Sequence, residues 1–118
     1  MKYFVLFLYS IGLLLLVGCW DKNVERSYYP SGKILTISTV KNGMLNGPAT
    51  MYYEDGEKMS EAYYHNGLLD GQSLEYYPSG KKKAVAHYHD GLLSGQSIRW
   101  RIDGSVEDEA YFSDGRVK

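Results

Sequence analysis

The sequence predicts an all-β fold, an elongated antiparallel β-meander of about 3.5 repeats of 24 residues that follows an N-terminal signal segment. Three observations carry this. Tyr28-Tyr29, Tyr52-Tyr53, Tyr76-Tyr77 and Trp100-Arg101 recur at an offset of 24. All eleven glycines after residue 18 fall on three columns of that period, Gly32/Gly56/Gly80/Gly104, Gly43/Gly67/Gly91/Gly115 and Gly47/Gly71/Gly95. No segment after residue 19 shows helical apolar periodicity. Fixed-period self-similarity marks a stacked repeat architecture, in which each unit buries its apolar surface only against its neighbours.

The elements follow from the columns in order. Asn42, Asn66, Asp90 and Asp114 precede the second glycine column, and Ser31, Asp55, Ser79 and Asp103 precede the first. Asn-Gly and Asp-Gly supply the positive φ of two-residue hairpin turns, so each repeat reads as two strands of about 9 residues with a turn after each. Seven such strands form the meander. Alternation places Ser38/Ala62/Ala86/Ala110 and Val40/Tyr64/Tyr88/Phe112 on one strand face, with aromatic rings beside small residues. On the intervening strands Thr50/Leu74/Ile98 share a face with Tyr52/Tyr76/Trp100, and Leu45/Leu69/Leu93/Val117 recur just past the turns as wedges between hairpins.

The N-terminus is of another kind. Of the first 18 residues 14 are apolar, Lys2 is the one charge, and Leu16-Val17-Gly18-Cys19 closes the run. This is the anatomy of an export signal. The four closing residues resemble the lipobox of bacterial lipoproteins, which implies cleavage before Cys19 and acylation of its thiol and new amino terminus. The single Cys of the chain suits that role, since it has no partner for a disulfide. The alternative is an uncleaved anchor, for which Tyr3 to Trp20 has the length only if every residue is used. The expected organisation is a signal peptide over 1–18, a lipidated polar tether over 19–27 and a repeat domain over 28–118.

The YYxxGx…GxLxG pattern resembles MORN repeats, and more closely the MORN-variant repeats of bacterial envelope and antitoxin-type proteins. The resemblance covers Tyr28 to Lys118. It implies an elongated sheet that binds or scaffolds other molecules, and an immunity-type lipoprotein that occludes a toxic effector at the periplasmic face of a membrane. A structural lipoprotein that organises an envelope complex is the alternative.

Composition narrows the chemistry. With 13 Lys+Arg against 14 Asp+Glu the chain lacks the basic surplus that phosphate-backbone binding needs, so nucleic acid is not an expected partner. His65 and His89 occupy equivalent positions two strands apart, about 10 Å, too far to share one Zn²⁺. His87 and His89 lie about 7 Å apart on one strand with no third ligand identified. No nucleophile elbow, zinc-protease motif or phosphate loop occurs, and the GQS segments holding Ser73 and Ser97 read as solvent-facing repeats. The expectation is therefore no enzyme, no catalytic residue, no cofactor and no metal site. Lipid contact falls to Cys19. Lys81-Lys82-Lys83, Arg99 and Arg101 form a basic zone beside an acidic stretch of Asp103, Glu107, Asp108, Glu109 and Asp114. Protein contact is assigned to Tyr63 and Tyr111, which alternate outward with His87, and to Glu107, Asp108 and Glu109 on the last long strand, a sheet edge.

Overall fold

The computed structural model describes residues 23–118. The expected signal peptide, Cys19 and the start of the expected tether lie outside the described residues. The rest is one antiparallel sheet, with strands β1 (Val24–Tyr28), β2 (Ile34–Lys41), β3 (Met44–Tyr52), β4 (Lys58–His65), β5 (Leu68–Leu69), β6 (Gly71–Tyr76), β7 (Lys82–His89), β8 (Leu92–Leu93), β9 (Gly95–Trp100), β10 (Val106–Ser113) and β11 (Arg116–Val117). Neighbours run β1-β2-β3-β4-β6-β7-β9-β10-β11, with β5 on β4 and β8 on β7. Taking β5 with β6 and β8 with β9 recovers the seven predicted strands between β1 and β11. Val24 to Ser27, expected in the tether, instead pair with Thr39 to Thr36 of β2. Their mixed polarity hid them, because an edge strand has one neighbour and little apolar surface to bury.

The three glycine columns do three different jobs. In the Asn-Gly column both turn residues have positive φ, from Asn42 at 52° and Gly43 at 76° to Asp114 at 48° and Gly115 at 77°, as the tight hairpin requires. The Tyr-x-x-Gly column departs from the expected two-residue turn. Gly32 N–H donates to Tyr29 O and Tyr29 N–H to Lys33 O, both at 2.8 Å, and of the loop residues only the glycine has positive φ. This is a three-residue loop that ends in a glycine bulge. The third column, Gly47, Gly71 and Gly95 at φ 106–118°, falls inside β3 and opens β6 and β9. Asp70 N–H and Ser94 N–H turn back to Tyr63 O and His87 O, which separates β5 from β6 and β8 from β9.

The sheet measures 72 × 32 × 18 Å with a radius of gyration of 20.1 Å, against about 12.5 Å for a compact domain of this size. No described side chain is fully buried. With no second layer, burial comes only from neighbours along the row, and stability is the sum of local hairpin and hairpin–hairpin terms. Strand pairing of β2 with β3, β4 with β6 and β7 with β9 supplies the latter, and two further ladders reinforce it. Tyr29, Tyr53 and Tyr77 each donate their hydroxyl across to the backbone carbonyl of Tyr52, Tyr76 and Trp100, at 2.7–2.8 Å. On the opposite long edge Gly67, Gly91 and Gly115 donate to the carbonyls of Leu45, Leu69 and Leu93.

Candidate binding faces

The register sorts the side chains onto two faces. On one, Ser38 lies opposite Ala49, Ala49 opposite Ala62, Ser73 opposite Ala86 and Ser97 opposite Ala110. Beside this small-residue row Tyr64 stands opposite Gly47 and Leu69, Tyr88 opposite Gly71 and Leu93, and Phe112 opposite Gly95 and Val117. Rings facing glycines and leucines cover one another, and their half-burial marks this as the self-packed face. Ser73 and Ser97 belong here, half-buried between alanines, and not in solvent as the repeat alone suggested.

The other face carries an unbroken row, Arg26, Ile37, Thr50, Glu61, Leu74, Val85, Ile98 and Glu109. Thr50, Leu74 and Ile98 therefore lie on the side of the sheet away from Tyr64 and Tyr88. A second row beside it brings Tyr63 opposite Pro48, Gln72 opposite His87 and Gln96 opposite Tyr111. Tyr63 and Tyr111 are more than half exposed, at 56% and 53%. The polar members are tied together. His87 Nδ1–H donates to Gln96 O at 2.9 Å, which leaves Nε2 to accept from Gln72 Nε2 at 3.5 Å. Gln96 Nε2 donates to Glu109 Oε1 at 2.6 Å and to Tyr111 Oη at 3.2 Å. The row is thus partly fixed in advance, which lowers the entropic cost of presenting it to a partner.

Of the predicted contact residues, the structure brings Glu109 and Tyr111 together through Gln96 and sets Tyr63 in the same row, four strand spacings or about 19 Å away. It does not bring the three acids together. Asp108 lies opposite Arg99 on the self-packed face, and Glu107 falls where the β9–β10 register shifts. Consecutive strand residues point to opposite sides, so three acids in sequence cannot form one patch. Gln72 and Gln96 were missed as row members. Counting two residues back from Leu74 and Ile98 finds them, once the register shows that those apolar residues share a face with Tyr63.

Elsewhere the charges are engaged locally. Lys83 pairs with Glu75 at 3.7 Å, and Arg101 Nη1 donates to Val106 O at 3.0 Å, so the basic zone is partly tied to its own sheet. Lys58 Nζ lies 2.7 Å from Glu61 Oε1, and Tyr76 Oη donates to Glu61 Oε2 at 2.8 Å. The hydrogen bonds from Lys58 and then Tyr76 hold the Glu61 carboxyl below its ordinary pKa, while the bond to Glu61 raises the Tyr76 hydroxyl. A shallow groove of about 220 Å³ on the self-packed face is lined by Ser38, Leu45, Ala49, Met51, Ala62 and Tyr64 among others. Among the described residues no helix is long and apolar enough to cross a membrane.

A family model described as MORN repeat variant matches residues 23–42, 45–66 and 69–90, more than half of the chain. Each match spans one hairpin, β1–β2, β3–β4 and β5–β7, so the natural unit begins at the strand that the sequence assigned to the tether. No curated protein matches the chain. Among solved structures, the accessory secretory protein 1, 2 and 3 structure from Streptococcus pneumoniae aligns at 18% identity and a TM-score of 0.43 over 81% of this chain. The chain spans 18% of the length of that one.

Proposed function

Because this chain belongs to the MORN repeat variant family, we propose that it is a membrane-anchored periplasmic binding module of the immunity type, which holds a toxic effector and blocks it sterically. MORN repeats suggest a repeat-based protein-binding or membrane-associated module. One observation supports the binding part of this reading: an open sheet 72 Å long in which no described side chain is fully buried. Such a sheet offers extended faces, and exposed aromatic rows on a monomer are the usual material of protein interfaces.

The contact surface is the row of Tyr63, Gln72, His87, Gln96 and Tyr111 with Glu109 beside it. Tyrosine gives large contact area at small entropic loss, and the amides and carboxylate give directed hydrogen bonds. Acyl chains on Cys19 each contribute about 0.8 kcal/mol per buried CH₂, so two or three of them keep the domain at a membrane and raise its concentration where an effector acts.

The test is genetic and physical together. Cells lacking the gene are expected to be poisoned by contact with wild-type siblings, to be rescued by the full chain, and to be rescued poorly by a Cys19→Ser form that fractionates as soluble. Unchanged survival of the deletion strain, with altered envelope integrity, would overturn immunity in favour of a structural lipoprotein.

A further inference from the structure

A side-chain cluster outside the binding row is set by the junction of two repeats. The end of β7 carries His89, the turn to β8 carries Asp90, and the bulge between β5 and β6 carries Asp70. Twenty residues separate the two aspartates, and the backbone holds their segments together. Gly91 N–H donates to Leu69 O at 2.8 Å, and Asp70 N–H donates to Tyr63 O at 2.9 Å. His89 Nδ1 lies 3.3 Å from Asp70 Oδ1, and its Nε2 lies 3.5 Å from Asp90 Oδ2. One ligand atom from each of the three lies within 4.8 Å of the other two.

We propose that Asp70, His89 and Asp90 form a surface zinc site, with one imidazole nitrogen and two carboxylate oxygens as ligands. An imidazole within the set favours Zn²⁺ over Ca²⁺ or Mg²⁺, which take oxygen ligands throughout. Ligands on a tetrahedral zinc, with bonds of about 2.0–2.2 Å, stand about 3.4 Å from one another. The His89–Asp70 separation already has that value. The Asp90 carboxylate now faces the other ring nitrogen, and Asp90 and His89 are both more than two-thirds exposed. The site therefore asks the exposed Asp90 side chain to turn toward Nδ1, where His89 and Asp70 already have the spacing. Three protein ligands leave the fourth position to water.

The repeat supplies an internal comparison. One junction earlier the same positions hold Asn46, His65 and Asn66, with Asn66 N–H reaching Asn46 Oδ1 at 3.4 Å as Asp90 N–H reaches Asp70 Oδ1 at 3.5 Å. One junction later they hold Ser94, Ser113 and Asp114. The scaffold recurs, but only one of the three junctions has a charged ligand on both sides of a histidine. The site needs no partner protein and does not rest on the immunity reading.

The experiment titrates zinc chloride into the full chain in detergent micelles by calorimetry. One Zn²⁺ per chain is expected, with affinity falling at least tenfold in Asp70→Asn, Asp90→Asn and His89→Gln. His65→Gln is expected to leave it unchanged. The two asparagine variants reproduce residues that the preceding junction already folds with, so they retain the sheet. As a second measurement, zinc should shift the ring resonances of His89 and leave those of His65 and His87 in place. Binding that survives the Asp70→Asn, Asp90→Asn double variant, or ring shifts of equal size at all three histidines, would overturn the site.

Discussion

The hydroxyl of Tyr53 donates to the backbone carbonyl of Tyr76 at 2.7 Å, which joins one hairpin to the next across 23 residues. The same bond recurs from Tyr29 to Tyr52 and from Tyr77 to Trp100. Without a buried core these bonds, together with the turn-glycine bonds on the far edge, reinforce the strand pairing of β2 with β3, β4 with β6 and β7 with β9 that keeps successive repeats in register.

Tyr53→Phe removes the bond and keeps the ring. A loss of about 1 kcal/mol is expected, as for a part-buried hydrogen bond whose acceptor keeps access to water. Urea unfolding should show a lower midpoint. Because the repeats couple only through neighbours, the Tyr53→Phe and Tyr77→Phe losses should add, and a double variant no less stable than either single one would refute that coupling.

Gly47→Ala should cost more than a typical exposed substitution. Its φ of +117° lies where L-residues are strained, and the added methyl would stand 3.2 Å from Cβ of Thr39. A loss of roughly 1–3 kcal/mol is expected from the backbone alone. Gly56→Ala, at φ +93° with open space around it, carries the strain without the crowding, so it should lose less. Thermal unfolding of both variants decides the order.

Stability should fall at both ends of the pH range through one group of side chains. The Glu61 carboxyl is held below its ordinary value, so its contribution is complete above that value and fades as pH drops through the lowered one. The Tyr76 hydroxyl is raised, so its contribution is complete below the ordinary tyrosine value and fades as pH climbs through the raised one. Glu61→Gln should flatten both limbs of a stability-against-pH curve. Unaltered limbs in that variant would show that other groups set them.

Tyr63→Ala and Tyr111→Ala should separate binding from folding. Both rings are more than half exposed, so each change should move the unfolding midpoint by less than about 0.5 kcal/mol. Cross-linking of the proposed protein partner to the row should nevertheless drop severalfold. Equal cross-linking yields from both variants and the native chain would place the contact elsewhere.

Glycines at a period of 24, and asparagines or aspartates ahead of one column, were enough to read hairpins, meander and family from the residues, because positive φ is a local demand that few side chains meet. The same reasoning missed β1. A polar edge strand carries no period of its own, and Val24 to Ser27 become a strand only because Thr36 to Thr39 offer a ladder to pair with. It also placed Glu107, Asp108 and Glu109 together, although strand alternation and the register shift at Val106/Asp108 part them.

Composition and spacing alone thus settled that this chain is a repetitive β-ribbon, since turns and alternation are written within a few neighbouring residues. Which residues meet across strands was decided only by the register, which depends on the bulges at Gly47, Gly71 and Gly95 and on pairing with distant hairpins. That register puts Tyr63, His87 and Tyr111 in one row with Gln72 and Gln96, and it carries Asp70 to His89 and Asp90. A shift of a single residue would send each of those side chains to the opposite face.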